Sequence, residues 1–119
     1  MSEMKKIIIL IFFFTSSYSF CNSFLKGIDD IPIYKNMVYV EESLVMFDKV
    51  HGRFVSTAIV GEYEYYEVSE FYKKILPNLG WKLVKKDFYQ RGKESLELEY
   101  KYDGTSLRVI FNVAPKKSE

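Results

Sequence analysis

The run ESLELEYKYDGTSLRVIFNV, residues 94–113, constrains this chain more than any other stretch. Before Asp103-Gly104, the apolar Leu96, Leu98, Tyr100 and Tyr102 alternate with polar residues. After it, Leu107, Val109, Phe111 and Val113 do the same. Period-two alternation on both sides of an Asp-Gly pair specifies an antiparallel hairpin with one apolar face. A two-residue turn at Asp103-Gly104 predicts Tyr100 opposite Leu107, Leu98 opposite Val109 and Leu96 opposite Phe111. Glu99 then faces Arg108 on the reverse side, so the register sets apolar against apolar and acid against base. The reverse face carries Ser95, Glu97, Glu99, Lys101, Arg108 and Asn112 and reads as solvated. Ile110 is its exception and is expected to pack under the N-terminal arm.

An apolar sheet face has to be covered. The segment Glu67 to Leu79 has the right pattern, with Val68, Phe71, Tyr72, Ile75, Leu76 and Leu79 forming one stripe at the helical period. Glu67 and Glu70 lie early and Lys73 and Lys74 late, which suits the helix dipole. No Ser, Thr, Asp or Asn stands in position to cap the start. Pro77 predicts a bend or an end near Leu76. Gly80 suits the left-handed position beyond the helix, and Trp81 is expected to open a strand and anchor the helix to the sheet. Trp81 to Lys85 and Phe88 to Arg91, split by Lys86-Asp87, read as two short strands or one bent strand.

Upstream, Leu44 to Phe47 has the short apolar pattern of a buried strand, and Arg53 to Val60 is β-branched and aromatic. The intervening DKVHGR predicts a turn near Gly52, with Asp48 and Arg53 facing each other across its mouth. Phe24 to Val40 has no sustained period, and Pro32 holds Ile31 extended. It reads as an arm with Ile31, Ile33 and Tyr34 as apolar plugs. The expected class is α+β: one helix packed on an antiparallel sheet in two layers, in the order β-β-α-β-β(-β). The expected segments are a signal peptide at 1–21, an extended arm at 22–43, an α+β domain at 44–115 and a tail at 116–119.

The first 21 residues, MSEMKKIIILIFFFTSSYSFC, have the parts of an export signal: Lys5 and Lys6, an apolar run from Ile7 to Phe14, then small polar residues. The run is shorter than the roughly 20 residues that a transmembrane helix requires. Ser17-x-Ser19 and Ser19-x-Cys21 both allow cleavage, near Ser19 to Cys21. Lipidation of Cys21 is the alternative, opposed by the bulky Phe20 before it; an uncleaved inner-membrane anchor is another. The expected location is the periplasm or the exterior.

Composition narrows function. Lys and Arg number 17 and Asp and Glu 16; with Glu3, Lys5 and Lys6 in the leader, 15 of each sign remain. A neutral domain without a basic stripe has no electrostatic basis for general nucleic-acid binding. One cysteine, Cys21, and one histidine, His51, leave no intramolecular disulfide and no thiolate or histidine-rich metal centre. No catalytic set, cofactor motif or metal ligand set is read from the sequence. Asp48 and His51 share a loop, so a carboxylate-oriented imidazole beside Arg53 is one candidate site. Tyr63 and Tyr65, on one face if that segment is extended, are a candidate sugar or peptide platform. Asp29-Asp30 reads as a solvated turn.

Three pieces, in this order and spacing, resemble a family of small exported proteins of alphaproteobacteria. They are Asp29-Asp30-Ile31-Pro32, the Phe47-Asp48-Lys49…Gly52-Arg53 hairpin, and Phe71-Tyr72-x3-Leu76-Pro77-x-Leu79-Gly80-Trp81. The resemblance spans nearly all of the chain after the leader. It implies export and a compact α+β domain, and it brings no catalytic residues. The wealth of Ile, Lys, Phe and Tyr suits AT-rich codons and a rickettsia-like, host-restricted source. The functional expectation is a non-enzymatic envelope module that binds a protein partner, touching the membrane only through its N-terminus. The alternatives are a small enzyme or ligand-binding protein built on Asp48, His51 and Arg53, and a membrane-anchored accessory subunit.

Overall fold

A computed structural model describes residues 23–116. The signal, cleavage and lipidation expectations for residues 1–21 fall outside the described residues, as does most of the tail. The described chain is mostly antiparallel sheet with one helix: β1 (Phe24–Leu25), β2 (Ile28–Pro32), β3 (Val38–Tyr39), β4 (Val45–Lys49), β5 (Gly52–Gly61), α1 (Tyr65–Asn78), β6 (Lys82–Lys85), β7 (Phe88–Arg91), β8 (Glu94–Asp103) and β9 (Ser106–Pro115). The order β-β-α-β-β(-β) therefore omits strands. The arm itself forms β1 and β2, a two-stranded ribbon, and β3, which joins the main sheet. Strands this short have no sequence period to reveal them.

The main sheet runs β3-β5-β9-β8-β7-β6, and β4 also pairs with β5. β3 and β4 share one edge of β5: Val38 and Tyr39 lie opposite Val60 and Ile59, and Val45 to Lys49 lie opposite Ser56 to Gly52. Between them the chain bulges, and Val40 N–H donates to Ala58 O at 2.9 Å. Ala58 N–H donates to Ser43 Oγ at 3.0 Å, so the edge of β5 stays satisfied through the gap.

The β8–β9 hairpin forms in a register two residues from the expected one. Asp103 pairs with Ser106, Tyr100 with Val109, Leu98 with Phe111 and Leu96 with Val113. The turn is Gly104-Thr105, with Gly104 at φ 66°. A positive φ at the first central residue alone is the pattern of a II′ turn, which glycine adopts without strain; an Asp-Gly I′ turn would also force Asp103 left-handed. A shift of two keeps every side chain on its face, so alternation could not separate the registers. Glu99 now lies opposite Ile110, and Lys101 opposite Arg108. The expected acid–base pair is replaced by two exposed cations.

The helix starts at Tyr65, two residues before the expected Glu67. Glu67 Oε1 accepts from Glu64 N–H at 3.2 Å, and Tyr65 N–H donates to the Tyr102 hydroxyl at 2.7 Å. One N-terminal donor is thus met from the neighbouring strand. At the other end Pro77 sits inside the last turn rather than ending it. The bond it forgoes would have gone to Lys73, on the exposed side. Trp81 N–H donates to Leu76 O at 3.1 Å and Gly80 N–H to Pro77 O at 3.0 Å. With Gly80 at φ 93°, this is a Schellman cap.

Val68, Tyr72 and Leu76 of α1 share one buried core with Leu96, Leu98, Leu107, Val109, Phe111 and Val113 of the hairpin. Leu25, Ile28, Ile31, Ile33, Tyr34 and Met37 of the arm belong to the same core. Tyr72 stands edge-on to Phe111, centroids 5.1 Å apart. Its hydroxyl donates to Pro32 O at 2.8 Å and accepts from Tyr34 N–H at 3.1 Å, tying helix to arm. Arg91 binds the arm at Asp30 (2.7 Å) and the helix end at Leu79 O (2.9 Å). Its guanidinium lies 4.2 Å from the centre of the Trp81 ring.

Candidate functional site

The buried strand expected at Leu44 to Phe47 is instead an exposed edge. Every residue of β4 is exposed, among them Val45 at 53%, Met46 at 55% and Phe47 at 47%. Val50, at the hairpin tip, is 96% exposed. The reason is the covering of each face. Met46 pairs with Val55 on the side that faces the core, where the arm takes the inner space: a Cβ placed on Gly27 would sit 2.9 Å from both Leu44 Cδ1 and Val55 Cγ1. Val45 and Phe47 lie on the reverse face, where Phe47 stacks on Phe54 at 5.1 Å and 14°. Lys49 Nζ hangs 5.6 Å from the Phe47 ring and 5.7 Å from the Phe54 ring.

Asp48 and Arg53 do lie opposite each other across β4 and β5. The Arg53 guanidinium, however, turns to Glu94: Nε donates to Oε2 at 2.7 Å and Nη2 to Oε1 at 3.3 Å. That bidentate bond pushes the guanidinium pKa up, in favour of the charged form. His51 sits exposed in the two-residue turn with Val50, between the paired Lys49 and Gly52. The hairpin therefore brings Asp48, His51 and Arg53 near one end of the sheet, with the arginine already engaged elsewhere.

Tyr63 and Tyr65 do not form one platform, because α1 begins at Tyr65 and turns the two apart. Tyr63 meets Tyr34 edge-on at 5.2 Å, and its hydroxyl accepts from Asn36 N–H at 3.3 Å. Tyr65 meets Tyr100 edge-on at 4.8 Å. It lines an open cleft of about 610 Å³ with Lys86, Asp87, Leu98, Glu99, Tyr100, Lys101 and Tyr102. Asp87 holds a left-handed φ of 58° in the β6–β7 turn. Burial raises its carboxyl pKa against the opposing pull of Lys86 and Lys73. Burial also drives the Tyr100 hydroxyl pKa well above the usual tyrosine value.

The sequence reading missed Lys86, Asp87, Tyr100 and Tyr102 as cleft residues. Tyr100 and Tyr102 continue the row of Leu96 and Leu98, so alternation alone puts them on the apolar face. The available signal was composition: the row changes from leucine to tyrosine where it leaves the core. Among the described residues no three His, Cys, Asp or Glu side chains are grouped to hold a metal ion, and no helix is long and apolar enough to cross a membrane. Comparison with known protein families, curated proteins and solved structures gives no match.

Proposed function

We propose that the protein is an exported, non-enzymatic interaction module of the cell envelope that binds a protein partner along β4. The observation that carries this reading is the exposed apolar edge: Val45, Met46 and Phe47 sit on a strand paired on one side only among the described residues. Soluble proteins blunt such edges with charge, proline or cover, because an unpaired strand recruits another. The occupant that fits is an extended segment of a partner, adding a strand through main-chain bonds. Its side chains would lie beside Val45 and Phe47 on one face and Met46 on the other.

Several finer assignments belong to the same proposal. They are cleavage of the leader near Ser19 to Cys21, a periplasmic or secreted location, and membership of the exported alphaproteobacterial family. A two-layer scaffold with α1 across one sheet face belongs there too, supported by the Tyr72–Phe111 contact. An enzyme built on Asp48, His51 and Arg53 has less behind it, since Glu94 occupies the arginine.

The test is a pair of substitutions, Val45→Lys with Met46→Lys. Both side chains are more than half exposed, so the thermal midpoint should hold. The wild-type protein should capture one discrete partner from envelope extract, and the double variant should lose it. Equal capture by both proteins would contradict the reading.

A further inference from the structure

The cleft beside the start of α1 carries chemistry that partner binding along β4 does not use. Its floor is the outer part of β8, where Tyr100 and Tyr102 continue the row of Leu96 and Leu98 out of the core. Its walls are Tyr65 and the Lys86-Asp87 turn. At about 610 Å³ it falls within the size range of small-molecule sites.

Three properties decide the class of ligand. The first is aromatic surface: Tyr65 and Tyr100 stand at 85° to each other, and Tyr102 is half-exposed beside them. The second is charge balance. Lys86 offsets Asp87, and the side chains of Glu99 and Lys101 alternate to the reverse face of β8, so the cleft has no net field with which to select an ion. The third concerns the helix start. The N–H groups of Glu64 and Tyr65 are already bonded, to Glu67 and to the Tyr102 hydroxyl, which disfavours an anion at that helix end.

A ligand suited to this set is neutral, with an apolar ring face and many hydroxyls. We propose that the cleft binds a saccharide. Sugar C–H faces would stack on the tyrosine rings, while sugar hydroxyls donate to the Asp87 carboxylate and accept from Lys86 and the Tyr65 hydroxyl; the Tyr102 hydroxyl is already engaged by Glu64 and Tyr65 N–H. Lys86 Nζ already sits 5.8 Å from the Tyr65 ring centre, so cation, carboxylate and ring stand at one mouth. The open shape suits the end of a glycan chain or an exposed stretch of it. This inference uses none of the β4 residues and stands apart from the partner reading.

The experiment is a titration of the ¹⁵N-labelled protein with chitotetraose and, separately, maltotetraose, followed by amide shifts. At least one sugar should move the amides of Tyr65, Lys86, Asp87 and Leu98 to Tyr102, with a dissociation constant of about 1 mM or tighter. Lys86→Ala and Asp87→Asn should each weaken binding about tenfold. Asn tolerates the left-handed backbone, so the second variant keeps the turn. Val45→Lys should leave sugar binding unchanged, which separates this site from β4. The proposal is overturned if neither sugar moves the cleft amides, if the shifts fall elsewhere, or if inorganic phosphate moves the same amides as strongly.

Discussion

Trp81 joins three parts of the molecule at one side chain. It is fully buried, it supplies the last bond of the helix cap, and Arg91 lies over its ring while holding Asp30 and Leu79. The ring is held by packing and by the Arg91 guanidinium above it. Trp81→Ala should cost about 3–5 kcal/mol, read from the midpoint shift in urea unfolding. Tyr72 is the polar counterpart. Its hydroxyl both donates to Pro32 O and accepts from Tyr34 N–H in the core. Tyr72→Phe removes both bonds, one of them to the buried Tyr34 N–H, and should cost about 1–3 kcal/mol in the same measurement. The packing role of Trp81 was legible in the sequence, because Pro77, Gly80 and Trp81 stand in the order of a helix ending on a strand. The Tyr72 bonds were not, since nothing in a helical stripe tells which hydroxyl will meet an arm some 40 residues away.

At the scale of elements, local patterns fixed type and face but not register or edge. The β8–β9 alternation is legible to the residue, but the turn position is not, because two registers two residues apart bury the same side chains. Gly104→Ala should destabilise the hairpin by about 1–2 kcal/mol, while Asp103→Ala should change little. Measured by thermal unfolding, the opposite ranking would restore the Asp103-Gly104 turn. The helix cap carries a similar expectation. Gly80 has φ 93°, and a Cβ there would stand 3.1 Å from Arg91 Cδ. Gly80→Ala should therefore cost about 1–2 kcal/mol and loosen the Arg91 contacts. β4 shows the converse limit. A short apolar run reads the same whether a second layer covers it or not, and only the arm's position in space left this one bare.

The whole molecule depends on the arm as much as on the sheet. Ile31, Ile33 and Tyr34 were legible as plugs, and they are buried in the same core as α1 and β9. The short strands β1 to β3 were not legible, because their pairing is set by contacts distant in sequence. One consequence concerns pH. Burial raises the hydroxyl pKa values of Tyr72 and Tyr100 above the ordinary tyrosine value of about 10. The folded chain then holds protons that the unfolded chain releases. The stability tied to these groups is complete below pH about 10 and falls as pH rises toward the folded values. Urea midpoints should hold level through neutral pH and decline above about pH 10, less steeply in Tyr72→Phe.

The proposed working edge of the exported module is β4. Site-specific photo-cross-linking in living cells tests it most directly, with the reactive group placed in turn at Val45, Met46, Phe47 and, as a control on a distant exposed turn, Thr105. One discrete adduct of constant partner mass is expected from the three β4 positions and none from Thr105. Silence at all three β4 positions, or the same adducts from Thr105, would contradict it.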